Sequence, residues 1–598
     1  MTRTSSSARS RGRLRIMLST LVERLCGFHE ARAEYERIRS LWQGGSFPEM
    51  ILAARNIVVN VSRHETIRIP RKGPCIVVSN HPLGAMDGVA LLSEMLRLRS
   101  DVKIIANEIL HEVAELREYI FPVDVVGSNA VAKNATAMRA AYRHVAAGGM
   151  LIAFPAGEVS ALRHFPPGIH DRRWSEHMSR LAKSTAATVV PAYVKARNSG
   201  LFYAAGCLHP FVRTLMLVRE MLRFRDRSMD IVFGSPIRQT TQVREMSAES
   251  FRDLLRFRSD FLRFKAKEER AAGGLELVRG EKVIDPVSAY SMAAEIDKLD
   301  GRQRLVETEE FLVVGAEFRS IPTVMQEVGR LREISFRLAG EGSGKSCDID
   351  VYDSMYTHII VWSKSTNAVV GAYRVGRVDE LLRRYGRNGL YGNTLFTFSD
   401  TILNALTPSL ELGRSFVRPE YQRDPSVLAL LLRGIGAYVA QYPHYRYLIG
   451  AVSISDTYSD ASKRLMVNSL MAHHLDRTIA RGVSARRPVG VNLFRNWDGL
   501  LHSRTLLPIP ELDSLIRDVE PQGKGVPVLL RHYTKIGGRI AALHRDEDFG
   551  GCIDAFIIVD LHATAEPLLR RHMGSEGFDR YHHSPGRNER TGLEVASE

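Results

Sequence analysis

The sequence predicts an α/β protein made of two successive strand–helix domains joined by a helical linker. Three observations carry that reading. The chain has 598 residues, enough for several domains at roughly 150 residues each. Short apolar runs bounded by turn residues alternate with stretches of helical periodicity, the texture of sheets layered with helices. That texture occurs twice, with a weakly patterned stretch over 272–304 between the blocks. With 44% hydrophobic and 25% charged residues, the composition is that of a globular protein and excludes a fibrous or wholly disordered chain.

Residues 1–50 read as a basic helical region, with Leu14, Met17, Leu18, Leu21 and Leu25 at helical spacing between arginines. The first α/β domain is expected over 51–271, with strands at 75–79, 102–106, 149–154 and 188–194 and a helix at 88–98. From about 210 to 270 the chain reads as helical and basic; residues 209–227 carry five arginines against two acids. The second domain is expected over 305–575, with strands at 357–362, 368–373, 409–417 and 448–453 and a helix at 426–442. Residues 576–598 are polar and expected to be a disordered tail.

Lys and Arg number 82 against 67 Asp and Glu, a formal net charge of +15 that favours an anionic partner. An acidic carrier protein and an anionic membrane both fit. Nucleic acid is not expected, because the basic stretches read as amphipathic arginine stretches rather than as basic motifs with exposed aromatics or a recognition helix. Apolar runs are too short to cross a bilayer. The arginine-rich stretches at 13–25 and 209–227 either lie in an anionic interface or pack their apolar stripes inward. The five cysteines have no metal-ligand or disulfide spacing, so the chain reads as cytoplasmic, peripheral on the inner face of the membrane, with no bound metal or cofactor.

Two groups of residues carry chemistry. In the first, NHPLGAMD (80–87) follows the strand at 75–79 and FPAGEVS (154–160) follows the strand at 149–154. A histidine at a strand end can take a proton from a hydroxyl, and a nearby carboxylate fixes its tautomer; a turn histidine and a helix-capping aspartate would give the same letters. Together these motifs resemble the glycerophosphate and lysophospholipid acyltransferase superfamily, and most closely its hemolysin-related branch, over roughly 50–240. The resemblance implies catalytic His81 and Asp87, with Asn80, Gly157 and Glu158 binding substrate. Five residues separate His81 from Asp87, one more than in most members, and the usual arginine of the second motif is missing. Arg163, Arg172 and Arg173 are possible substitutes for it.

In the second group, Arg332 and Phe336 stand in R-x-x-x-F, Asp350 and Asp353 in D-x-x-D, Arg374 in Y-R, and Glu411 and Arg414 in E-x-x-R. This ordered set resembles the GNAT-fold acyltransferases that use acyl carrier protein thioesters, among them autoinducer synthases and ornithine N-acyltransferases. Residues 526–538 and 549–560 resemble the C-terminal extension of the latter. The glycine-rich diphosphate loop of other GNAT enzymes is replaced by EYQRDPS (420–426), which fits a carrier-protein donor better than coenzyme A. The resemblance implies Glu411 as base, directly or through water. Arg332, Arg374 and Arg414 would orient a carboxylate or phosphate, and Asp350 and Asp353 an ammonium group; a structural ion-pair network would use the same residues. The fusion of both halves resembles bifunctional ornithine-lipid synthases. Such enzymes N-acylate ornithine with a 3-hydroxyacyl carrier protein and then O-acylate the 3-hydroxyl. Glycine or another amino acid, and phospholipid acylation, remain alternatives.

GEGSGKS (340–346) imitates a phosphate-binding loop, but Ala339 stands where its first glycine is required. It reads instead as a flexible loop near the acyl-acceptor site.

Overall fold

The computed structural model describes residues 27–124, 130–163, 168–208, 210–265, 280–490 and 507–584. They fall into two compact units divided after Lys265. The expected basic stretch at 13–25, the linker residues 272–279 and residues 585–598 of the expected tail lie outside the described residues. The start of that tail is not disordered: Ser575–His582 is a helix that buries Phe578 and Tyr581.

In the N-terminal unit, nine strands are described: β1 (Ile57–Asn60), β2 (Cys75–Ser79), β3 (Val102–Asn107), β4 (Ile120–Val123), β5 (Met150–Ala153), β6 (Ala161–Arg163), β7 (Gly168–His170), β8 (Thr188–Lys195) and β9 (Arg227–Phe233). Seven form one sheet in the order β1-β9-β8-β2-β5-β3-β4, and β6 and β7 form a separate hairpin. Neighbours in the large sheet run parallel except for β8 against β9. The central strand β2 is buried along its whole length, which explains its unbroken apolar run. The helix Ala85–Leu96 packs its buried residues Met86, Val89 to Leu92 and Met95 into the same core as Val77, Ile104 and Ile152. The strand β9 lies where the sequence reads as basic helix. Its first two residues are exposed and an aspartate sits mid-strand, so no continuous apolar run announces it.

The C-terminal unit contains β10 (Arg304–Glu307), β11 (Phe311–Glu317), β12 (Thr357–Ser363), β13 (Ala368–Arg377), β14 (Phe396–Phe398), β15 (Ser409–Val417), β16 (Tyr447–Ile454), β17 (Val483–Ala485), β18 (Arg539–Asp546) and β19 (Cys552–Asp560). Eight of them make one sheet in the order β10-β11-β12-β13-β15-β16-β19-β18. The expected linker is ordered within this unit from residue 280 onward. Glu281 and Ile284 donate backbone N–H groups to Gly344 and Ser346, and Met292, Ile296 and Leu299 join the core beside Val314 and Val324.

All adjacent pairs in this sheet are antiparallel except β15 and β16. The helix Pro425–Gln441 makes the crossover that a parallel pair requires. Gly434 lets that helix approach the sheet, since a Cβ there would stand 2.7 and 2.8 Å from Val313 and Ile359 side chains. Pairing between β15 and β16 runs from Ser409–Tyr447 to Leu412–Gly450 and then stops, although both strands continue. Just beyond, β15 bulges against β13 and Arg414 adopts φ of 49°. The two strands therefore part and open a cleft between their C-terminal ends.

Candidate active sites

In the N-terminal unit His81 and the turn 154–157 both sit beyond the carboxyl ends of adjacent parallel strands, where open α/β sheets place ligands. The chain passes through Gly84 at φ 77°, a conformation that favours glycine, before the helix begins at Ala85. That turn lets Asp87 reach back from the first helical turn. Its Oδ2 lies 3.1 Å from His81 Nδ1 and accepts the backbone N–H of Leu83 at 2.8 Å and of Gly84 at 3.2 Å. Burial raises the Asp87 carboxyl, and His81 with these two amides opposes that rise without cancelling it. A fully buried carboxylate on Nδ1 leaves Nε2 as the basic nitrogen. The imidazole stacks on Phe154 with ring centres 4.0 Å apart, and its side chain is 18% exposed.

The remaining residues of this site hold it in shape. Asn80 bridges β2 to β8, accepting from Val194 N–H at 2.7 Å and donating to its carbonyl at 3.1 Å. Gly157 completes a turn closed by its N–H to Phe154 O at φ 69°. Glu158 is paired with Arg163 at 2.8 Å and with Arg213 at 2.9 Å. Arg173 pairs with Glu249, and Arg172 is exposed. Arg213 belongs to the helix Pro210–Arg223, whose Met216 and Leu217 cover Val159, Phe202 and Tyr203. That stretch therefore packs part of its apolar stripe inward over the site.

Asp171 escaped the sequence reading. Its Oδ1 accepts from the Ser160 hydroxyl at 2.5 Å and from His81 N–H at 3.3 Å, and its Oδ2 from the Trp174 indole at 3.1 Å. It stands 90 residues from His81 in the chain, in a stretch with no motif to mark it.

In the C-terminal unit the spaced charges converge. Arg332 makes two hydrogen bonds to Asp353 at 2.9 and 2.8 Å, and both side chains are almost fully buried. Arg374 reaches Asp350 at 2.6 Å and Asp353 at 3.3 Å. Arg414 continues the chain of charges to Asp350 at 3.5 Å and Asp348 at 3.8 Å. Burial works against the charge on Asp353, but Arg332 and Arg374 hold its carboxyl well below the usual range. The Arg374 guanidinium is covered by the rings of Tyr352, Tyr356 and Tyr391, 5.6, 5.3 and 5.1 Å away.

This network ends at a cavity of about 240 Å³ in the cleft between β15 and β16. Arg414 and Phe336 line it, together with Tyr391, Phe549 and three carboxylates, Glu341, Asp546 and Asp554. Arg332, Asp350, Asp353 and Arg374 stand behind that wall. Glu411 is buried beside it: its carboxylate accepts the Tyr356 hydroxyl, Tyr391 N–H at 3.1 Å and Gly392 N–H at 2.5 Å. Burial raises its carboxyl, opposed by those donors and by the Arg374 charge. The glycine-rich segment at 340–346 supplies Glu341, pushed up to about 7 by burial and by the Asp554 charge, with Lys524 opposing. Asp554 is pushed up to about 6, first by burial and also by Asp546, while the Ser453 hydroxyl and Arg414 oppose.

Two family models match the chain: an acyltransferase family over residues 18–268 and an acetyltransferase (GNAT) domain over residues 331–432. Glycine N(alpha)-acyltransferase of Phocaeicola vulgatus is 34% identical over 323 residues, which is 50% of this chain and 95% of that protein. Lyso-glycine lipid O-acyltransferase of the same organism is 31% identical over 179 residues, 28% of this chain and 61% of that protein. L-ornithine N(alpha)-acyltransferase of Agrobacterium fabrum is 26% identical over 220 residues, 35% of this chain and 65% of that protein. The latter two alignments thus leave more than a third of each relative unmatched. Having covered nearly all of the first relative, the chain belongs to its family of acyltransferases, and it carries both a GNAT domain and an N-terminal acyltransferase domain.

Proposed function

We propose that the chain makes an amino-acid lipid with two acyl chains. In the GNAT domain the amine of an amino acid attacks the thioester of a 3-hydroxyacyl chain on acyl carrier protein. In the N-terminal domain His81 takes the proton of the resulting 3-hydroxyl as it attacks a second acyl thioester, and Asp87 stabilises the imidazolium. One observation carries this reading: a histidine–carboxylate pair suited to a hydroxyl and an acid-lined cleft suited to an amine occur in one chain. Names of the relatives point the same way, since they pair an amino-acid N-acyltransferase with a lyso-lipid O-acyltransferase.

The cleft supports an extended thioester donor. Past Leu412 and Gly450 the facing edges of β15 and β16 no longer pair with each other, leaving room for a strand-like guest. Asp424 caps the helix Pro425–Gln441 by accepting Ser426 N–H at 2.8 Å. A carboxylate at that helix end disfavours a diphosphate there, which supports a carrier-protein donor over coenzyme A. Neither transfer calls for a resident metal or cofactor.

Ornithine is the favoured amino acid: three carboxylates on the cavity wall suit a second ammonium group. Glycine is the second reading, favoured by the relative of 34% identity. No helix among the described residues is long and apolar enough to cross a membrane. Exposed Leu201 and Val212, on the helices Gly200–Leu208 and Pro210–Arg223 beside the first site, support peripheral contact with an anionic bilayer. Mass spectrometry of lipids from a host that makes no aminolipid tests the proposal. Expression should yield a two-chain amino-acid lipid whose headgroup mass separates ornithine from glycine. No new aminolipid, with carrier protein supplied, would refute it.

A further inference from the structure

We infer that Asp554 is the catalytic proton acceptor for the attacking amine in the GNAT domain, a role that rests on the proposed N-acyl transfer. Three features of the cleft single it out. Asp554 lines the cavity from near the start of β19, opposite Ser453 of β16, just past the point where β15 and β16 part. The Ser453 hydroxyl fixes its Oδ1 at 2.7 Å, and among the described residues Oδ2 has no hydrogen-bond partner. It is a rigid carboxylate with one oxygen to spare. Asp546 has its Oδ1 committed to the N–H groups of Asp548 and Phe549, 3.0 and 3.1 Å away. The Glu341 carboxylate has no hydrogen-bond partner among the described residues, but it stands on a segment outside the sheet rather than on a strand. Glu411 already accepts three donors and does not line the cavity.

The step balances as follows. An amino acid arrives as its ammonium form and gives one proton to Asp554 Oδ2. The free amine forms a C–N bond to the thioester carbonyl, the C–S bond breaks, and the second N–H proton leaves with the thiol. Asp554 returns its proton to solvent. Groups facing it set where it titrates: Asp546 and His544 from β18, Cys552 from β19, Ser453 from β16, Arg414 from β15, with Tyr391 and Glu341 across the cavity. Raised to about 6, Asp554 still ionises below neutral pH and is a stronger base than an exposed carboxylate.

The full chain with 3-hydroxyacyl carrier protein and free amino acid, followed by thiol release, gives the test. In the wild type kcat should rise with pH through about 6. Asp554→Asn should lower kcat by about 100-fold or more, abolish that rise, and leave KM for the carrier protein within a few-fold. Two further variants keep the test sharp if Asp554→Asn folds poorly. Ser453→Ala removes a hydrogen bond that lowers the Asp554 carboxyl and should move the rise to higher pH; Asp546→Asn removes a repelling charge and should move it lower. Near-normal kcat in folded Asp554→Asn, or a rise that neither neighbour moves, would overturn the inference while leaving amide formation intact. Absence of amide formation by the wild type, with any amino acid, would instead sink the proposed function and this inference with it.

Discussion

In the N-terminal unit His81 and its carboxylate partner Asp87 lie six residues apart on one turn of chain. In the C-terminal unit the cavity wall is assembled from residues as distant as Phe336 and Phe549, whose rings meet at 5.5 Å. The first site is a local device with a fold built around it. The second exists only once the sheet has brought β15, β16 and β19 together. The two should therefore fail differently when damaged: a point loss in the first should cost rate, and a loss behind the wall of the second should cost structure.

The largest effect should come from the local device. His81→Ala removes the base of the proposed second step, so O-acylation should fall by about 10²–10⁴-fold. Mass spectrometry should then show the single-chain N-acyl product accumulating. Asp87→Asn should fall in the same range, because an amide in place of Oδ2 no longer fixes the Nδ1–H tautomer. A variant of either residue that keeps a tenth of wild-type O-acylation would remove the basis for calling the pair catalytic.

Next in size is the buried network. Arg332→Ala leaves Asp353, fully buried, without its main partner, and breaking such a pair costs about 3–5 kcal/mol. Thermal unfolding of the C-terminal unit should shift down by many degrees. The network also carries a pH signature. Because Asp353 is held below its unfolded value, its stabilisation is complete above that value, near 3.9, and disappears as pH falls through the folded one. The advantage of wild type over Asp353→Asn should persist from neutrality to about pH 4 and shrink only below it. A constant difference at all pH values would mean the carboxylate charge is not what stabilises the unit.

These contrasts explain what could be read from the sequence. His81 and Asp87 stand in a short motif after an apolar run, and that run is a buried strand, so their place at its end and their pairing were legible. The set from Arg332 to Arg414 was legible as a group because its members recur at fixed local spacings, but the depth of each was not. Nothing in a spacing tells a buried arginine from one at a cavity wall; sheet order decides it, and only Arg414 and Phe336 of that set reach the cleft. Asp554 was invisible for the same reason. Its partner Ser453 is 101 residues away, and the pairing follows from β19 lying beside β16. The point where β15 and β16 part was equally hidden, since both strands continue past the last paired residues.

Glu411→Gln should have a middling effect and separates two roles for that residue. Glutamine offers one acceptor oxygen where the carboxylate takes three donors, so one donor is left unpaired or clashes with the new amide, at about 1–3 kcal/mol. Tyr391 should shift on the cavity wall and N-acylation should drop roughly tenfold, as expected for a cost of about that size. The rise of activity with pH should survive if, as inferred, Asp554 takes the proton and Glu411 holds the wall. Loss of that rise in Glu411→Gln would return the base role to Glu411.

The smallest effect tests whether the first site is as local as it looks. Asp171 binds the Ser160 hydroxyl, the Trp174 indole and the His81 backbone N–H, and so ties the histidine to the segment after Phe154. Asp171→Asn keeps the size but turns one acceptor oxygen into a donor. Ser160 can rotate its hydroxyl to accept from the new amide, whereas the indole and the backbone N–H only donate. An asparagine oriented toward Ser160 therefore still serves Trp174 with its oxygen and loses mainly the weak 3.3 Å bond to His81. The expected cost is about 1 kcal/mol, or several-fold in O-acylation rate, with KM for the acyl donor little changed. Kinetics of purified Asp171→Asn beside Ser160→Ala would measure it. If Asp171→Asn were as damaging as His81→Ala, the N-terminal site would also be a distributed network, and the distinction between the two units would lie in burial alone.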